Sequence, residues 1–297
     1  MINPLPRLPK FEYVRLDSIE KTVAFLENCG DEARPFLGGT DTFVALRDRR
    51  LHPKFLVDLK HLEGFDALSF NSEEGLTIGA AINLNQLITS KEVQNHYPVL
   101  AQAASEVGGY QLRNRATMIG NLCNASPCGD TIGPSMIYFG KATIVGPEGK
   151  KVIPLEDFFI GPGKTCLGVG EIVQSLKFPI PPEQSEGIYL SIGRNKLSDL
   201  AMAAVTAFGY PDDQSASGFR FRIALSAVAP TVIIVKDAEV LLSEHQIESS
   251  TIEEAAQIAM QQCKPIDDIR ASQDYRREMV YTLTLRALQQ VWKALQS

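Results

Sequence analysis

Two stretches of the chain combine glycines with hydroxyl, amide and carboxylate side chains, a mixture that suits the binding of an anion. The first, residues 35–46, reads as the end of a strand, a turn with Gly38 and Gly39, and the start of a helix. Backbone N–H groups at the start of a helix have no partner inside the helix, so they attract phosphate. The pattern predicts a phosphate-binding turn, and an ordinary tight turn is the alternative.

The second stretch, residues 113–130, is rich in small and polar side chains and reads as a loop that leads into a buried apolar segment. Gly120 lets backbone N–H groups approach an anion closely, and Thr117 and Asn121 add side-chain donors. Asp130 ends the stretch, and a carboxylate there can accept hydrogen bonds from sugar hydroxyls. A polar surface turn is the alternative, because the same residue types are common in turns.

Taken together, the two stretches resemble the paired pyrophosphate loops of the FAD-binding (medium) subunit in the xanthine dehydrogenase and carbon monoxide dehydrogenase family of molybdenum hydroxylases. In that family the first loop reads Ala-Gly-Gly-Thr-Asp, and the second reads Ala-Thr-Ile-Gly-Gly-Asn and continues through Ala-Ser-Pro to Asp. This chain departs from the pattern at Leu37, where Ala is usual, and at Met118-Ile119, where Ile-Gly is usual. The resemblance extends to a signature of the family's C-terminal domain, at Arg270-Ala271-Ser272, Tyr275-Arg276-Arg277 and Arg286-Ala287-Leu288.

The resemblance implies a set of residues that contact FAD. The first loop would hold the pyrophosphate, Asp130 would turn toward the nucleotide ribose, Leu167 would lie near the adenine and Arg194 near the flavin. The alternatives without a role in FAD binding are a solvated loop carboxylate for Asp130, a core leucine for Leu167 and a surface arginine for Arg194. The implied cofactor-binding set is Phe36, Leu37, Gly38, Gly39, Thr40, Asp41, Thr42, Phe43, Thr117, Gly120, Asn121, Asp130, Leu167 and Arg194.

The same resemblance implies an electron-transfer subunit with no catalytic residue of its own, because a bound flavin carries the redox chemistry. An iron–sulfur (small) subunit with two [2Fe–2S] clusters would deliver electrons, and a molybdopterin (large) subunit would hydroxylate the substrate. FAD in this chain would pass the electrons to NAD⁺, a quinone or oxygen. The expected assembly is a dimer of heterotrimers.

Two other functions remain open from the sequence. One is a self-contained FAD-dependent oxidase or reductase with the same PCMH-type flavoprotein fold. Such proteins often tether the flavin to a histidine near the first loop, but residues 30–50 contain no histidine, and only about 120 residues follow the proline-rich segment 178–182. The other is a binding or assembly protein that has lost its flavin, which the two largely intact loops disfavour.

Composition narrows the class of protein further. The chain has 297 residues, of which 44% are hydrophobic and 22% charged, as in ordinary globular proteins. A net charge of −6 argues against general nucleic-acid binding, which needs a basic face. No segment approaches the roughly 18 consecutive apolar residues of a membrane span, and the first residues lack the apolar core of a signal peptide. We therefore expect a cytoplasmic protein that neither spans a membrane nor binds nucleic acid.

The cysteines and histidines predict no metal site in this chain. The five cysteines are scattered, which excludes a disulfide framework. Cys123 and Cys128 have the first spacing of a plant-type iron–sulfur motif, but Thr131 stands where the third cysteine is needed. The four histidines have no metal-ligand spacing.

The elements that position these loops form an α+β fold. The resemblance implies a two-subdomain PCMH-type FAD-binding domain over residues 1–177, divided near residue 57 into 1–57 and 58–177. Prolines at 179, 181 and 182 mark a stiff connector. An α+β domain of the CO-dehydrogenase-flavoprotein type is expected over 183–297.

Local patterns predict the individual elements. In the helix before the first loop, Asp17 is the expected cap, with Glu20 three residues on, and Gly30 is the expected stop. The predicted strands are 36–37, 55–59, 76–80, 189–192, 201–208 and 219–228, with a hairpin of 142–145 and 152–155. The predicted helices are 43–46, 85–88, 98–107, 250–263 and one from 272 that buries Val280, Leu283, Ala287, Val291 and Leu295.

Overall fold

A computed structural model describes residues 7–195 and 199–297 of the chain. Its first unit consists of β1 (Glu12–Arg15), α1 (Ile19–Cys29), β2 (Ala33–Phe36), α2 (Thr40–Arg47) and β3 (Phe55–Asp58). The strands form a parallel sheet in the order β1-β3-β2. Parallel neighbours need a crossover, which α1 and α2 supply. The first glycine turn therefore lies at the carboxyl end of β2, just before α2.

The cap of α1 differs from the prediction by one position. Ser18, rather than Asp17, precedes the helix, and its hydroxyl accepts a hydrogen bond from the Lys21 N–H at 3.3 Å. Asp17 instead forms an exposed ion pair with the Lys21 ammonium group at 3.2 Å. The prediction of Asp17 was wrong because only the residue directly before the helix can reach the free N–H groups of the first turn. Gly30 ends the helix as predicted, with φ +51°.

A five-stranded antiparallel sheet forms the second unit. Its strands are β4 (Leu68–Asn71), β5 (Gly75–Gly79), β6 (Lys141–Gly146), β7 (Gly149–Pro154) and β10 (Ile172–Phe178), and a two-stranded ribbon consists of β8 (Phe159–Gly161) and β9 (Lys164–Thr165). The order of the strands in the sheet is β4-β5-β10-β6-β7. The predicted hairpin is confirmed as β6 and β7. Six helices lie between β5 and β6: α3 (Leu84–Thr89), α4 (Lys91–His96), α5 (Pro98–Glu106), α6 (Tyr110–Arg113), α7 (Met118–Asn124) and α8 (Ile132–Ile137).

The stretch 113–130 is more ordered than the loop that its composition predicted. It contains the whole of α7, whose apolar residues Met118, Ile119 and Leu122 are buried. The loop prediction was wrong because Gly120 and Asn121 are poor helix formers, and tertiary burial outweighs that preference. The apolar segment that follows is buried as expected, and it is the helix α8.

The last unit is a four-stranded antiparallel sheet, β11-β12-β13-β14, with helices beside it. Its elements are β11 (Glu186–Ile192), β12 (Ala203–Pro211), β13 (Phe219–Ser226), β14 (Ile233–Ile234), α9 (Lys236–Glu244), α10 (Ser249–Gln262) and α11 (Gln273–Leu295). The helix α11 begins one residue after the predicted start at residue 272, and Ser272 is its cap. Four of the five predicted core residues of α11 are buried, and Leu295 is half-exposed. The α+β class is confirmed, and the predicted strands and helices occur with ends that differ by up to three residues. The pattern did not reveal β1, β4, α4, α6, β8, β9, β10, β14 and α9.

Both faces of this last sheet are buried. Along β12, Ala203, Val205 and Ala207 face the core shared with the C-terminal helices, whereas Ala204 and Phe208 face the core of the second unit. This alternation is the period-two pattern of a strand covered on both sides. The α8 backbone comes close enough that a Cβ on Gly133 would lie 2.8 Å from Thr206 Oγ1. The last sheet is therefore packed directly against the helices that follow the second loop.

The connector between the units runs from the end of β10 to the start of β11, and the Tyr97 hydroxyl donates to Pro179 O at 2.9 Å beside it. The division into 1–57, 58–177 and 183–297 remains a prediction. Among the residues that the structure describes, no helix is both long enough and apolar enough to cross a membrane.

Candidate functional site

An open cleft of about 800 Å³ lies where the three units meet, and both glycine-containing stretches line it. This volume is within the range of about 300–1,000 Å³ that ligand pockets occupy. The predicted site residues that line it are Leu37, Gly38, Gly39, Thr40, Asp41, Thr42, Thr117, Gly120, Asn121, Asp130 and Leu167. Phe36, Phe43 and Arg194 are outside this lining. The structure thus brings most of the predicted set around one space.

The first loop presents the free end of a helix to the cleft. Gly39 precedes α2 with φ +74°, and no side chain caps the helix. The first backbone hydrogen bond runs from the Phe43 N–H to Gly39 O at 2.9 Å. The N–H groups of residues 40–42 therefore have no partner within the helix, and its positive end faces the cleft. An anionic group is the natural partner for this turn.

Glycine is required twice in this turn, for two different reasons. A Cβ on Gly38 would lie 2.0 Å from the carbonyl oxygen of Arg115, so only a glycine allows the first loop to touch the second. A Cβ on Gly39 would lie 2.4 Å from the ring of Phe36. That ring packs edge-on against Phe43, with 5.6 Å between centroids. Phe36 and Phe43 therefore support the turn from behind.

In the second loop, the side-chain oxygens of Thr117 and Asn121 already accept hydrogen bonds within the protein, whereas their protons are free to be donated. Thr117 Oγ1 accepts from the Gly120 N–H at 2.9 Å, and Asn121 Oδ1 accepts from the Thr131 hydroxyl at 2.8 Å. Within residues 7–195 and 199–297, the Thr117 hydroxyl proton and the Asn121 amide protons are given to no acceptor. Because both side chains line the cleft, they can donate to a bound anion.

Asp130 is the buried acid of the cleft wall. Only 9% of it is exposed, and one carboxylate oxygen, Oδ1, accepts from the Tyr189 hydroxyl at 2.6 Å. Burial raises the pKa of Asp130 to about 6, and the Tyr189 hydrogen bond opposes that rise. Burial and the neighbouring carboxylate also raise the pKa of Tyr189, so the phenol stays protonated and donates. Sequence reasoning did not find Tyr189, since no local pattern links residues so far apart.

The two remaining predicted contacts differ in position. Leu167 lines the cleft and also packs on the core, and its contact with the adenine stays a prediction. Arg194 reaches the cleft only through Asp199, a lining residue that sequence reasoning missed. The guanidinium Nε of Arg194 lies 3.3 Å from Asp199 Oδ2, and the backbone N–H of Arg194 donates to the same oxygen at 2.8 Å. This pairing lowers the pKa of Asp199.

None of the four histidines lies in the lining of the cleft. Two cysteines do, Cys123 and Cys128, and burial raises the pKa of Cys123 to about 12, so this thiol is not a ready nucleophile. Across the described ranges 7–195 and 199–297, no group of three or more histidine, cysteine or acidic side chains could hold a metal ion.

Comparison with known proteins decides the family. The sequence pattern described as "FAD binding domain in molybdopterin dehydrogenase" matches residues 9–181, and "CO dehydrogenase flavoprotein C-terminal domain" matches residues 190–291. The chain belongs to the FAD-binding subunits of the molybdopterin dehydrogenases. The resemblance drawn from the two loops is thus confirmed.

Named relatives agree along nearly the whole chain. The xanthine dehydrogenase FAD-binding subunit of Escherichia coli O157:H7 is 30% identical over 86% of this chain and 88% of its own length. The carbon monoxide dehydrogenase medium chain of Hydrogenophaga pseudoflava is 29% identical over 96% of this chain and 98% of its own. A solved structure of carbon monoxide dehydrogenase from that organism, lacking the Mo-pyranopterin moiety, superposes with a TM-score of 0.92, covering 97% of this chain and 99% of that one, at 28% identity.

The residues that line the cleft of this chain also fit FAD by their chemistry. The turn that no side chain caps offers N–H groups where a pyrophosphate needs donors. Gly38 and Gly39 leave backbone exposed there, and Thr117 and Asn121 contribute further protons.

Replacing Gly39 by alanine tests this cradle. The new Cβ would collide with the Phe36 ring, so the turn must leave the position in which its N–H groups face the cleft. We expect FAD to bind about 10- to 100-fold more weakly, as expected for one charge-assisted hydrogen bond lost. Flavin fluorescence quenching gives the dissociation constant, and circular dichroism checks the fold.

Gly218→Ala is the matched control for this change. Gly218 has a similar φ of +78°, but a Cβ there meets no atom within 4 Å, and the residue lies outside the cleft. Both variants carry the same backbone strain of about 1 kcal/mol. If both variants bound FAD equally weakly, backbone strain alone would explain the loss of affinity in Gly39→Ala.

The raised pKa of Asp130 makes a second prediction, for the stability of the flavin-free chain. A carboxyl group with a folded pKa of about 6, above its ordinary value of 3.8, favours the folded state most when protonated. The free energy of unfolding should therefore fall by roughly 2–3 kcal/mol, relative to Asp130→Asn, as the pH rises from about 4 to about 6. Urea denaturation of both proteins across that range measures it. A difference between them that does not change with pH would contradict the assignment.

Proposed function

We propose that this chain is the electron-transfer subunit of a heterotrimeric molybdenum hydroxylase, taking electrons from [2Fe–2S] clusters of a partner subunit through FAD to NAD⁺ or another acceptor. The observation that carries the proposal is the open cleft with an uncapped helix end and free donors in its wall. Bound there, FAD supplies the redox chemistry, and the residues of this chain hold and orient it.

We infer a role for each residue in or beside the cleft. The N–H groups of residues 40–42, with the backbone at Gly38 and Gly39, bind the pyrophosphate. Thr117 and Asn121 donate from the opposite loop, while Gly120 closes the α7 cap. Asp130 accepts from a ribose hydroxyl. Leu167 packs against the adenine, and Arg194 acts near the flavin through Asp199.

The rim of the cleft supports exchange of electrons with another protein. Val44, Leu112, Val169 and Leu200 line the cleft and are each between 41% and 62% exposed. Apolar side chains in such a position suit burial against a partner. The names of the relatives, a "medium chain" and a "FAD-binding subunit", describe parts of larger assemblies. We infer an iron–sulfur small subunit and a molybdopterin large subunit as partners, assembled as a dimer of heterotrimers.

We also assign the complex to the cytoplasm. All five cysteines are free thiols, which suits a reducing compartment. The acidic net charge of −6 argues against a general nucleic-acid binder.

The purified chain should bind one FAD without a covalent bond, because no histidine is available in the lining of the cleft to tether it. Acid precipitation should release the yellow colour into the supernatant. Flavin that stays in the washed pellet would refute the noncovalent assignment.

The chain alone should hydroxylate nothing, although slow oxidation of NADH or of artificial donors is expected. Activity toward an aldehyde, a purine or another N-heterocycle should require the iron–sulfur and molybdopterin chains, and all three should co-purify. The measurement is the flavin absorbance of the lone chain mixed anaerobically with candidate substrates. Rapid bleaching by an organic substrate would instead identify a self-contained flavoenzyme.

A further inference from the structure

We propose that Tyr189 is a positioning residue for FAD, whose hydroxyl holds the Asp130 carboxylate in the cleft wall so that its second oxygen accepts a hydrogen bond from a hydroxyl of the cofactor. The proposal rests on the function proposed above, in which Asp130 contacts FAD. It assigns a part of the flavin site to the C-terminal sheet, outside both glycine loops.

Hydrogen bonds and burial hold Tyr189 in place. It lies in β11, an edge strand whose outer backbone groups have no neighbouring strand. The side chain of Gln102 replaces that strand: its Oε1 accepts from the Tyr189 N–H at 2.9 Å and its Nε2 donates to Tyr189 O at 3.0 Å. With only 3% of Tyr189 exposed, the hydroxyl has a fixed position. These contacts place the donor before any ligand arrives.

The bond from Tyr189 leaves half of the carboxylate available. The hydroxyl donates to Asp130 Oδ1 at 2.6 Å, and no residue in the described part of the chain donates to Oδ2. Asp130 lines the cleft, so Oδ2 is the oxygen that remains for a ligand. A carboxylate accepts through both oxygens, and a donor fixed on one of them orients the other.

Few other charges act on this carboxylate. Glu106, at the end of α5, opposes its ionisation, and burial does so more strongly. Cys128 lies on the same loop, and Arg270 and Arg276 act on its thiol from the C-terminal side. Tyr189 is the side-chain hydrogen-bond donor that favours the ionised form of Asp130. Its removal must therefore raise the pKa of the carboxyl group.

The direction of this pKa change determines how FAD affinity should depend on pH. If a hydroxyl of FAD donates to the ionised carboxylate, the affinity is constant above the pKa of Asp130 and falls about tenfold per pH unit below it. In the wild-type chain the break should lie near pH 6, the pKa of the buried group. In Tyr189→Phe the break should move upward by about 1–2 pH units, the effect of one hydrogen bond to a charged group.

The experiment measures FAD dissociation constants of the flavin-free full chain between about pH 5 and about pH 9, by fluorescence quenching. Near pH 6, Tyr189→Phe should bind FAD at least about tenfold more weakly than the wild-type chain. Near pH 9, its affinity should lie within about threefold of the wild-type affinity. Tyr210→Phe is the matched control, since Tyr210 lies on the adjacent strand β12 and outside the cleft. It should follow the wild-type curve.

The Asp130→Asn variant completes the test, and its result can be interpreted even if Tyr189→Phe does not fold. Its FAD affinity should be independent of pH across the break, and adding Tyr189→Phe to it should cost little more. A uniform loss at every pH in Tyr189→Phe would overturn the proposal and make Tyr189 structural only. Wild-type affinity of Asp130→Asn at every pH would remove Asp130 from the site, whereas absence of FAD binding by the wild-type chain would refute the flavin site itself.

Discussion

The cleft depends on one close contact between two backbones. Gly38 in the first loop touches the carbonyl of Arg115, just before α7, at a distance that no Cβ could share. This contact sets the spacing between the uncapped end of α2 and the donors Thr117 and Asn121. A pyrophosphate has two phosphates to satisfy, and the chain meets them with two groups of donors brought together from distant positions.

The sequence was most informative where the chemistry is local. The first turn could be read because a glycine with positive φ followed by a helix start is encoded in a few consecutive residues. The second loop was read correctly as polar but wrongly as irregular. Its helix is stabilised by burial of Met118, Ile119 and Leu122 rather than by propensity, and burial is a property of the whole fold.

What the sequence could not show are the pairings between distant segments. The pairs of Tyr189 with Asp130 and of Gln102 with the backbone of β11 have no local signature. The strand β1 was not predicted for a different reason. Three of its four residues are exposed, so it lacks the alternation of apolar and polar residues by which strands are recognised. The roles of Leu167 and Arg194 stay predictions.

The tight packing of α8 on the C-terminal sheet bears on how such a chain can evolve. Gly133 lies against Thr206, Ser226 and Ala224, side chains no larger than threonine, so helix and sheet must change in concert. On the same border, the N–H of Ala227 donates to Pro127 O at 2.7 Å. Recombination that joined the flavin module of one lineage to the C-terminal module of another would break this match. The two modules therefore form one structural unit, although each has its own recognisable sequence pattern.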